Sequence, residues 1–183
     1  MMNRLSPLVR TLAASALLAA GSGAAVAGPI VVGAGWYGFC FAGVGSPATA
    51  GCQNDATAGV TGNTITFTAL SSVVLKVTDA FVHGDEFDVN IFGVGNFATS
   101  AVAAGGGTTT NPDLAYADPL YSHGSWFLGA GNYSVDIFAN TSPVGAGGAY
   151  VEVMGAVPEP STYALLAFGL AGVAAVARRR RAD

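Results

Sequence analysis

The sequence predicts an all-β fold, an antiparallel β-sandwich or jelly roll, for residues 28–156. Apolar and polar residues alternate in several short runs, turn-forming residues separate the runs, and strong helix formers are scarce between them. The 183 residues suffice for one such domain. Residues 1–27 and 157–183 have the composition of targeting segments and are excluded from the predicted fold.

The N-terminal segment is typical of a secretory signal peptide. Arg4 and Arg10 form its positive region, and a short apolar run follows. The small residues Ala25 and Ala27 predict cleavage before Gly28. The alternative is an uncleaved N-terminal anchor, but the apolar run is short for a helix that spans a membrane.

The exported segment contains five runs in which apolar side chains share one face of a strand. Ile65 and Phe67 share a face in one run, for example, and Val73, Leu75 and Val77 share a face in the next. The predicted strands cover residues 64–69, 72–78, 87–92, 133–138 and 149–153. Glycine-rich and asparagine-rich turns separate these strands, and the sequence GAGN at residues 129–132 predicts a hairpin loop.

Charge distinguishes the exported segment from the two ends. Six of the seven basic residues lie in the terminal segments, so residues 28–160 carry ten acidic residues and a single base, Lys76. Such an acidic surface repels phosphate backbones, so no nucleic-acid partner is expected. The same surface attracts divalent cations.

Cys40 and Cys52 are the two cysteines of the chain, and both lie in the exported segment. Exported chains enter an oxidising compartment, so the pair predicts a disulfide. The alternative is two free thiols. A metal site is disfavoured because no second pair of Cys or His residues lies at ligand spacing.

A group of acidic residues around a glycine turn is the best candidate for a binding site. It consists of Asp79, Asp85, Glu86 and Asp88. Carboxylates in this arrangement can ligate Ca²⁺, which prefers six to eight oxygen atoms, and Asp113 and Asp118 can add ligands from another loop. The spacing differs from that of an EF-hand, and the alternative is a set of solvated acids on turns and strand faces. No other cofactor is expected.

No motif predicts an enzyme. Residues 33–38 have glycines at the spacing of a dinucleotide-binding loop, but the residues that follow are typical of strand and loop rather than helix. His83 and His123 each precede a glycine and are expected in exposed turns. Ser125 lies near His123 without a nucleophile-elbow motif, so a secreted hydrolase is only a remote alternative.

The C-terminal segment has three parts in order. Pro158, Glu159 and Pro160 form a rigid, non-helical break, and residues 163–177 form an uncharged apolar run. The basic cluster that follows is Arg178, Arg179, Arg180 and Arg181. Fifteen helical residues span about 22 Å, which is short of a hydrocarbon core of about 30 Å. We expect a single transmembrane helix that is extended at its start and has its arginines in the cytoplasm.

This arrangement, in the sequence VPEPSTYALLAFGLAGVAAVARRRR at residues 157–181, resembles the PEP-CTERM sorting signal of exosortase substrates. The resemblance implies an exported precursor that is retained in the cytoplasmic membrane. It further implies cleavage near the Pro-Glu-Pro motif by an exosortase, a Cys-dependent transpeptidase of the membrane. The product would run from Gly28 to about Pro160, on the surface or in the matrix of a Gram-negative bacterium.

The exported segment also resembles an all-β module of unassigned activity that recurs ahead of this signal. The residues that carry the resemblance are 77–81, 84–89, 112–119 and 147–150. This second resemblance implies no catalytic residues.

These features predict a non-enzymatic, structural or adhesive protein of the cell surface or biofilm matrix. The alternative is a module that binds exopolysaccharide or calcium. Joint exposure of several aromatic side chains on one face would favour the carbohydrate alternative, since they can stack on sugars. Those aromatic residues, expected in the core or at its rim, are Trp36, Tyr116, Tyr121 and Trp126.

Overall fold

The computed structural model describes residues 28–156 and 165–171. Residues 28–156 contain twelve strands and one short helix, which confirms the all-β class. The strands are β1 (Gly28–Pro29), β2 (Tyr37–Phe41), β3 (Ala58–Gly59), β4 (Thr64–Ala69), β5 (Val73–Asp79), β6 (Phe81–Val82), β7 (Glu86–Ile91), β8 (Gly95–Ala98), β9 (Thr108–Thr109), β10 (His123–Leu128), β11 (Gly131–Thr141) and β12 (Gly147–Gly155), and the helix is α1 (Pro112–Ala117).

Ten of these strands form two sheets that pack on a common core. Sheet 1 has the order β1-β4-β11-β7-β8, sheet 2 has the order β10-β5-β12-β2-β3, and β6 pairs with β9 in a separate ribbon. The eight longer strands cross between the sheets in the double Greek-key order of a jelly roll. The expectation of a wholly antiparallel sandwich is wrong at two short edges, where β1 pairs with β4 and β2 with β3 in parallel.

The core forms where the apolar faces of the predicted strands meet. Alternate residues of β4 and β5 are buried, and Leu75 and Val77 are completely buried. Phe87 of sheet 1 makes edge-on contacts with Phe39 and Phe41 of sheet 2, with ring centroids 5.6 and 5.2 Å apart. These aromatic contacts join the two sheets at the centre of the core.

Two expectations about turns are wrong. The glycine-rich loop at 129–132 does not close a hairpin, because β10 belongs to sheet 2 and β11 to sheet 1. His123 begins β10, where it pairs with Thr78 of β5. Glycine and asparagine indicate that the chain reverses, but the side chains of the next strand decide which sheet it joins.

The strand β2 confirms the interpretation of residues 33–38 as glycine-flanked β structure. Gly33 and Gly35 have φ angles of 79° and 94°, as the turn ahead of β2 requires. The chain then enters β2 at Tyr37 without forming a helix. The geometry that holds a dinucleotide phosphate, a helix N-terminus directly after the glycines, is replaced here by a strand.

The helix α1 was not predicted, although its start signals are present in the sequence. The Asn111 side chain accepts hydrogen bonds from the backbone N–H groups of Asp113 and Leu114, and Pro112 occupies the first turn. The helix has only six residues, so tertiary contacts must provide most of its stability.

One end of the sandwich is where the chain leaves toward its C-terminal segment. Val73, at the start of β5, lies opposite both Leu128 at the end of β10 and Gly155 at the end of β12. The Ala156 N–H donates to the Ser72 carbonyl at 3.0 Å. We call this the exit end, and its turns comprise residues 31–34, 70–72, 92–94 and 129–130 together with residues 155–156.

Candidate functional site

Most residues of the two targeting segments lie outside the described residues. They are Ala25, Ala27, Pro158, Glu159, Pro160, Arg178, Arg179, Arg180 and Arg181. Gly28, the predicted mature N-terminus, is the first described residue and lies in β1 opposite Ile65. It is buried, and a Cβ atom there would lie 1.9 Å from the Thr61 Oγ1 atom, so any other residue would require Thr61 to shift. Cleavage before Gly28 stays a prediction, because the residues ahead of it lie outside the described ranges.

The C-terminal segment begins where the sandwich ends. The β12 ladder with β5 stops at the Gly155–Val73 pair, and the Ala156 hydrogen bond to Ser72 is the next backbone contact. Every strand of the two sheets lies ahead of this point. Removal of the chain beyond about residue 160 would thus leave the described sandwich complete.

A helical stretch within the C-terminal segment, residues 165–171, is exposed at all seven of its residues. Leu165, Leu166, Phe168 and Leu170 are each more than 60% exposed. Each such side chain forgoes about 2 kcal/mol of stabilisation that burial would provide. Among the described residues, no helix is long and apolar enough to cross a membrane. Because its apolar side chains are exposed, this stretch does not serve as a core helix of the sandwich.

The predicted disulfide between Cys40 and Cys52 is confirmed, with Cα atoms 5.3 Å apart. It joins β2 to the long connection between β2 and β4. The same connection is held by backbone bonds between Cys40 and Thr49 and by the Ala48 N–H bond to the Ile137 carbonyl. The disulfide thus fixes a segment that contributes only the two-residue strand β3 to the sheets.

We expect the double variant Cys40→Ser/Cys52→Ser to lose about 3 kcal/mol of unfolding free energy, because the disulfide closes a loop in the unfolded chain. Urea denaturation of the processed protein measures this loss. Reduction of the unsubstituted protein should give the same result. Equal stability of the variant and the oxidised protein would contradict the expectation.

Two of the four acidic candidates, Asp79 and Asp85, are buried next to each other at the end opposite the exit end. Asp79 Oδ1 accepts a hydrogen bond from the Ala80 N–H at 2.7 Å. Asp79 Oδ2 accepts from the N–H groups of Gly84 and Asp85 at 3.0 and 3.1 Å. The Asp79 carboxyl group therefore organises the loop between β5 and β7.

Burial is the main cause that raises the pKa of Asp79 from 3.8 to about 8, and the neighbouring Asp85 carboxyl raises it further. The three N–H donors favour the ionised form and oppose this shift. Burial also raises the pKa of Asp85, against a hydrogen bond with Ser142. Among the described residues, Asp85 Oδ1 is the one buried side-chain oxygen or nitrogen without a hydrogen-bond partner. The surroundings of the pair thus favour a state in which at least one of the two carboxyl groups is protonated and neutral.

Stability should therefore fall as pH rises from about 4 to about 8. In that window the folded state holds a proton on Asp79 that the unfolded state has released, so rising pH favours unfolding. Urea denaturation across the window measures the slope. Asp79→Asn should flatten the slope, whereas Asp88→Asn, at an exposed position, should leave it unchanged. An unchanged slope in Asp79→Asn would contradict the assignment.

The other acidic candidates lie apart from this pair. Glu86 accepts hydrogen bonds from the Val102 N–H and the Thr141 hydroxyl, and Asp88 is exposed and accepts from the Asn140 amide. Asp113 accepts from the Trp36 indole N–H, and Asp118 from the Leu120 N–H. In the described ranges, no group of three or more His, Cys, Asp or Glu residues is placed to hold a metal ion. The predicted calcium ligands are thus not brought together.

The histidines are less exposed than expected. His83 is buried, with its ring edge-on to Tyr121 at 5.6 Å and its Nδ1 atom 3.3 Å from the Ala103 carbonyl. His123 Nδ1 lies 2.8 Å from the Tyr121 carbonyl. Ser125 is exposed on the same strand. These contacts show the imidazoles engaged in packing and backbone hydrogen bonds.

A structural cluster around Lys76 escaped the sequence analysis. The Lys76 ammonium group lies 4.8 Å from the centre of the Tyr116 ring, 5.8 Å from that of Trp36, and 3.5 Å from a Glu152 oxygen. The Trp36 indole N–H donates to Asp113 of α1 at 2.8 Å. The cluster holds α1 against sheet 2. Trp36 and Tyr121 are buried and Tyr116 and Trp126 are half-buried, so these aromatic residues do not form an exposed platform.

Comparison with known families identifies the C-terminal segment. Residues 156–181 match the PEP-CTERM protein-sorting motif, which confirms the resemblance read from the tail. No curated protein and no solved structure matches the chain. The second resemblance, of the exported segment, therefore stays a prediction.

Proposed function

The chain is a PEP-CTERM sorting-signal protein, and from this premise we propose that it serves at the cell surface or in the extracellular matrix in a structural or adhesive role. The motif itself supports export, a membrane-held precursor and processing by an exosortase. The location and role beyond processing are the proposal.

The observation that carries the proposal is the position of the motif relative to the fold. The matched segment begins at residue 156, directly after β12 ends at Gly155. An exosortase that cleaves near Pro158–Pro160 would release a sandwich with both sheets intact. The tail thus acts as a removable sorting signal, and the sandwich is the folded product that remains after cleavage.

The exposed helical stretch at 165–171 supports a membrane-held precursor. Its four large apolar side chains have no partner in the described part of the chain and are suited to lipid. The arginine cluster that follows in the sequence would remain on the cytoplasmic side. The sandwich would then lie on the outer side of the same membrane.

A structural role is supported by how the sandwich uses its reactive groups. Asp79 organises a loop, His83 packs on Tyr121, and Lys76 holds α1. The disulfide and the continuous apolar core favour persistence outside the cell. We therefore propose that the protein acts through its surface rather than through a reaction.

Mass spectrometry of the protein from native cells tests this proposal. We expect a mature chain that starts at Gly28 and ends near Pro160. The variant Pro158→Ala/Pro160→Ala should accumulate as precursor, whereas the control Pro119→Ala, at an exposed site in the sandwich, should be processed normally. A surface fraction that still ends at Asp183 would contradict the proposal.

A second candidate function, exopolysaccharide binding, is favoured by a shallow groove of about 520 Å³ on the outer face of sheet 1. Asp88, Asn90, Asn96 and Phe138 line this groove. Carboxylate and amide groups beside an exposed aromatic ring can hydrogen-bond to and stack on a sugar.

Calorimetric titration of the processed protein with exopolysaccharide from its own cells tests this candidate. Phe138→Ala should weaken binding about tenfold if the ring stacks on a sugar. Phe127→Ala is the matched control, because Phe127 is exposed on sheet 2. No heat of binding with the unsubstituted protein would exclude this candidate.

A further inference from the structure

The exit end of the sandwich carries exposed apolar side chains beside an apolar groove. Leu70 is 93% exposed and Val31 is 62% exposed. Both line a groove of about 730 Å³, together with Ile30, Phe67 and Val73. The C-terminal segment leaves from the rim of this groove, since Ala156 bonds to Ser72.

The exit end is also free of charge. The turns at 31–34, 70–72, 92–94 and 129–130 and residues 155–156 contain no charged residue. Along β12, the nearest acid to Gly155 is Glu152, about 10 Å away, and it is paired with Lys76 at 3.5 Å. The buried pair Asp79 and Asp85 lies at the opposite end.

Chain length keeps this end close to the membrane in the precursor. Six residues, 157–162, separate the sandwich from the apolar run that begins at Tyr163. Even fully extended, they span about 20 Å. About a third of that length is needed to cross the headgroup layer. The sandwich therefore cannot move far from the lipid surface while the tail is embedded.

We propose that the exit end lies against the membrane surface in the precursor, with Leu70 and Val31 in contact with the headgroup layer. This inference rests on the proposed membrane-held precursor. Apolar side chains gain from burial at the headgroup boundary. Anionic lipids repel acidic side chains but not this uncharged end. The orientation thus directs the acidic surface away from the lipid and places residues 157–162 next to it, where a membrane enzyme can reach them.

Fluorescence quenching by brominated lipids tests the orientation in the full-length precursor. The variants Leu70→Trp and Val144→Trp place a reporter at opposite ends, because Val144 lies in the turn ahead of β12 and is 68% exposed. The vesicles contain phosphatidylcholine and phosphatidylglycerol, with or without bromine on the acyl chains. The unsubstituted precursor gives the background from Trp36 and Trp126. Vesicle flotation is measured first.

We expect the precursor to float with the vesicles, and the added emission of Leu70→Trp to fall by about half in brominated lipid. The emission of Val144→Trp should not change. Equal quenching of both reporters would overturn the orientation. A floating precursor with neither reporter quenched would overturn membrane contact and leave the exosortase as the partner that covers the exit end. A precursor that does not float would refute the membrane-held precursor itself, and the orientation with it.

Discussion

Replacement of Arg178, Arg179, Arg180 and Arg181 by glutamine should release most of the precursor from the cytoplasmic membrane. The apolar run of fifteen residues is short, at about 22 Å against a core of about 30 Å. An anchor this short depends on the arginine charges, which stop the chain from passing through the membrane. Each arginine costs about 3 kcal/mol at the centre of a membrane helix, so four of them strongly oppose translocation.

Cell fractionation followed by immunoblotting measures the effect as the share of precursor in the membrane pellet. The matched control replaces the same four arginines by lysine, which keeps the charge and should keep retention. Because no residue of the sandwich changes, its stability should be the same in both variants. Unchanged retention in the glutamine variant would show that another part of the chain holds the precursor.

Phe87→Ala should cost about 3–5 kcal/mol of unfolding free energy, the largest effect expected for a single substitution in the sandwich. Phe87 is completely buried and makes edge-on contacts with Phe39 and Phe41 of the opposite sheet, at 5.6 and 5.2 Å between ring centroids. Its removal would leave a cavity between the sheets that neither ring can fill without moving β2.

Urea denaturation of the processed protein, read by circular dichroism, measures this cost. Phe87→Leu should lose less, because the leucine side chain fills part of the space. Phe127→Ala is the control on the surface, where the ring is 79% exposed, and should change stability by less than about 0.5 kcal/mol. Similar losses of unfolding free energy in Phe87→Ala and Phe127→Ala would contradict this prediction. They would mean that the contacts of Phe87 with Phe39 and Phe41 do not stabilise the sandwich.

Several elements of the fold could be predicted because their information is local. The strand predicted at 64–69 coincides with β4, and those predicted at 72–78 and 87–92 differ from β5 and β7 by one residue at each end. A half-buried strand requires apolar and polar residues to alternate, and this alternation is visible in the sequence of each run. The disulfide followed from the compartment that the signal peptide predicts.

The candidate binding site was not predictable in the same way. Asp79, Asp85, Glu86 and Asp88 are neighbours in sequence, but the structure buries the first two and directs the others to separate partners. Lys76 contacts Trp36, Tyr116 and Glu152 across 40 to 76 positions of the chain. No local pattern carries such contacts, since they depend on which strands become neighbours.

By itself, the sequence predicted the address of this protein from linear segments, namely the signal peptide, the Pro-Glu-Pro motif, the apolar run and the arginine cluster. The family match at residues 156–181 confirms the sorting motif among them. The sequence also determined the β class, because period-2 patterning is local. The tertiary structure alone decided that β10 and β11 join different sheets and that Leu70 and Val31 lie beside the exit of the tail. The reason is that strand partners and sheet ends are set by contacts between residues far apart in the chain, which only the folded core selects.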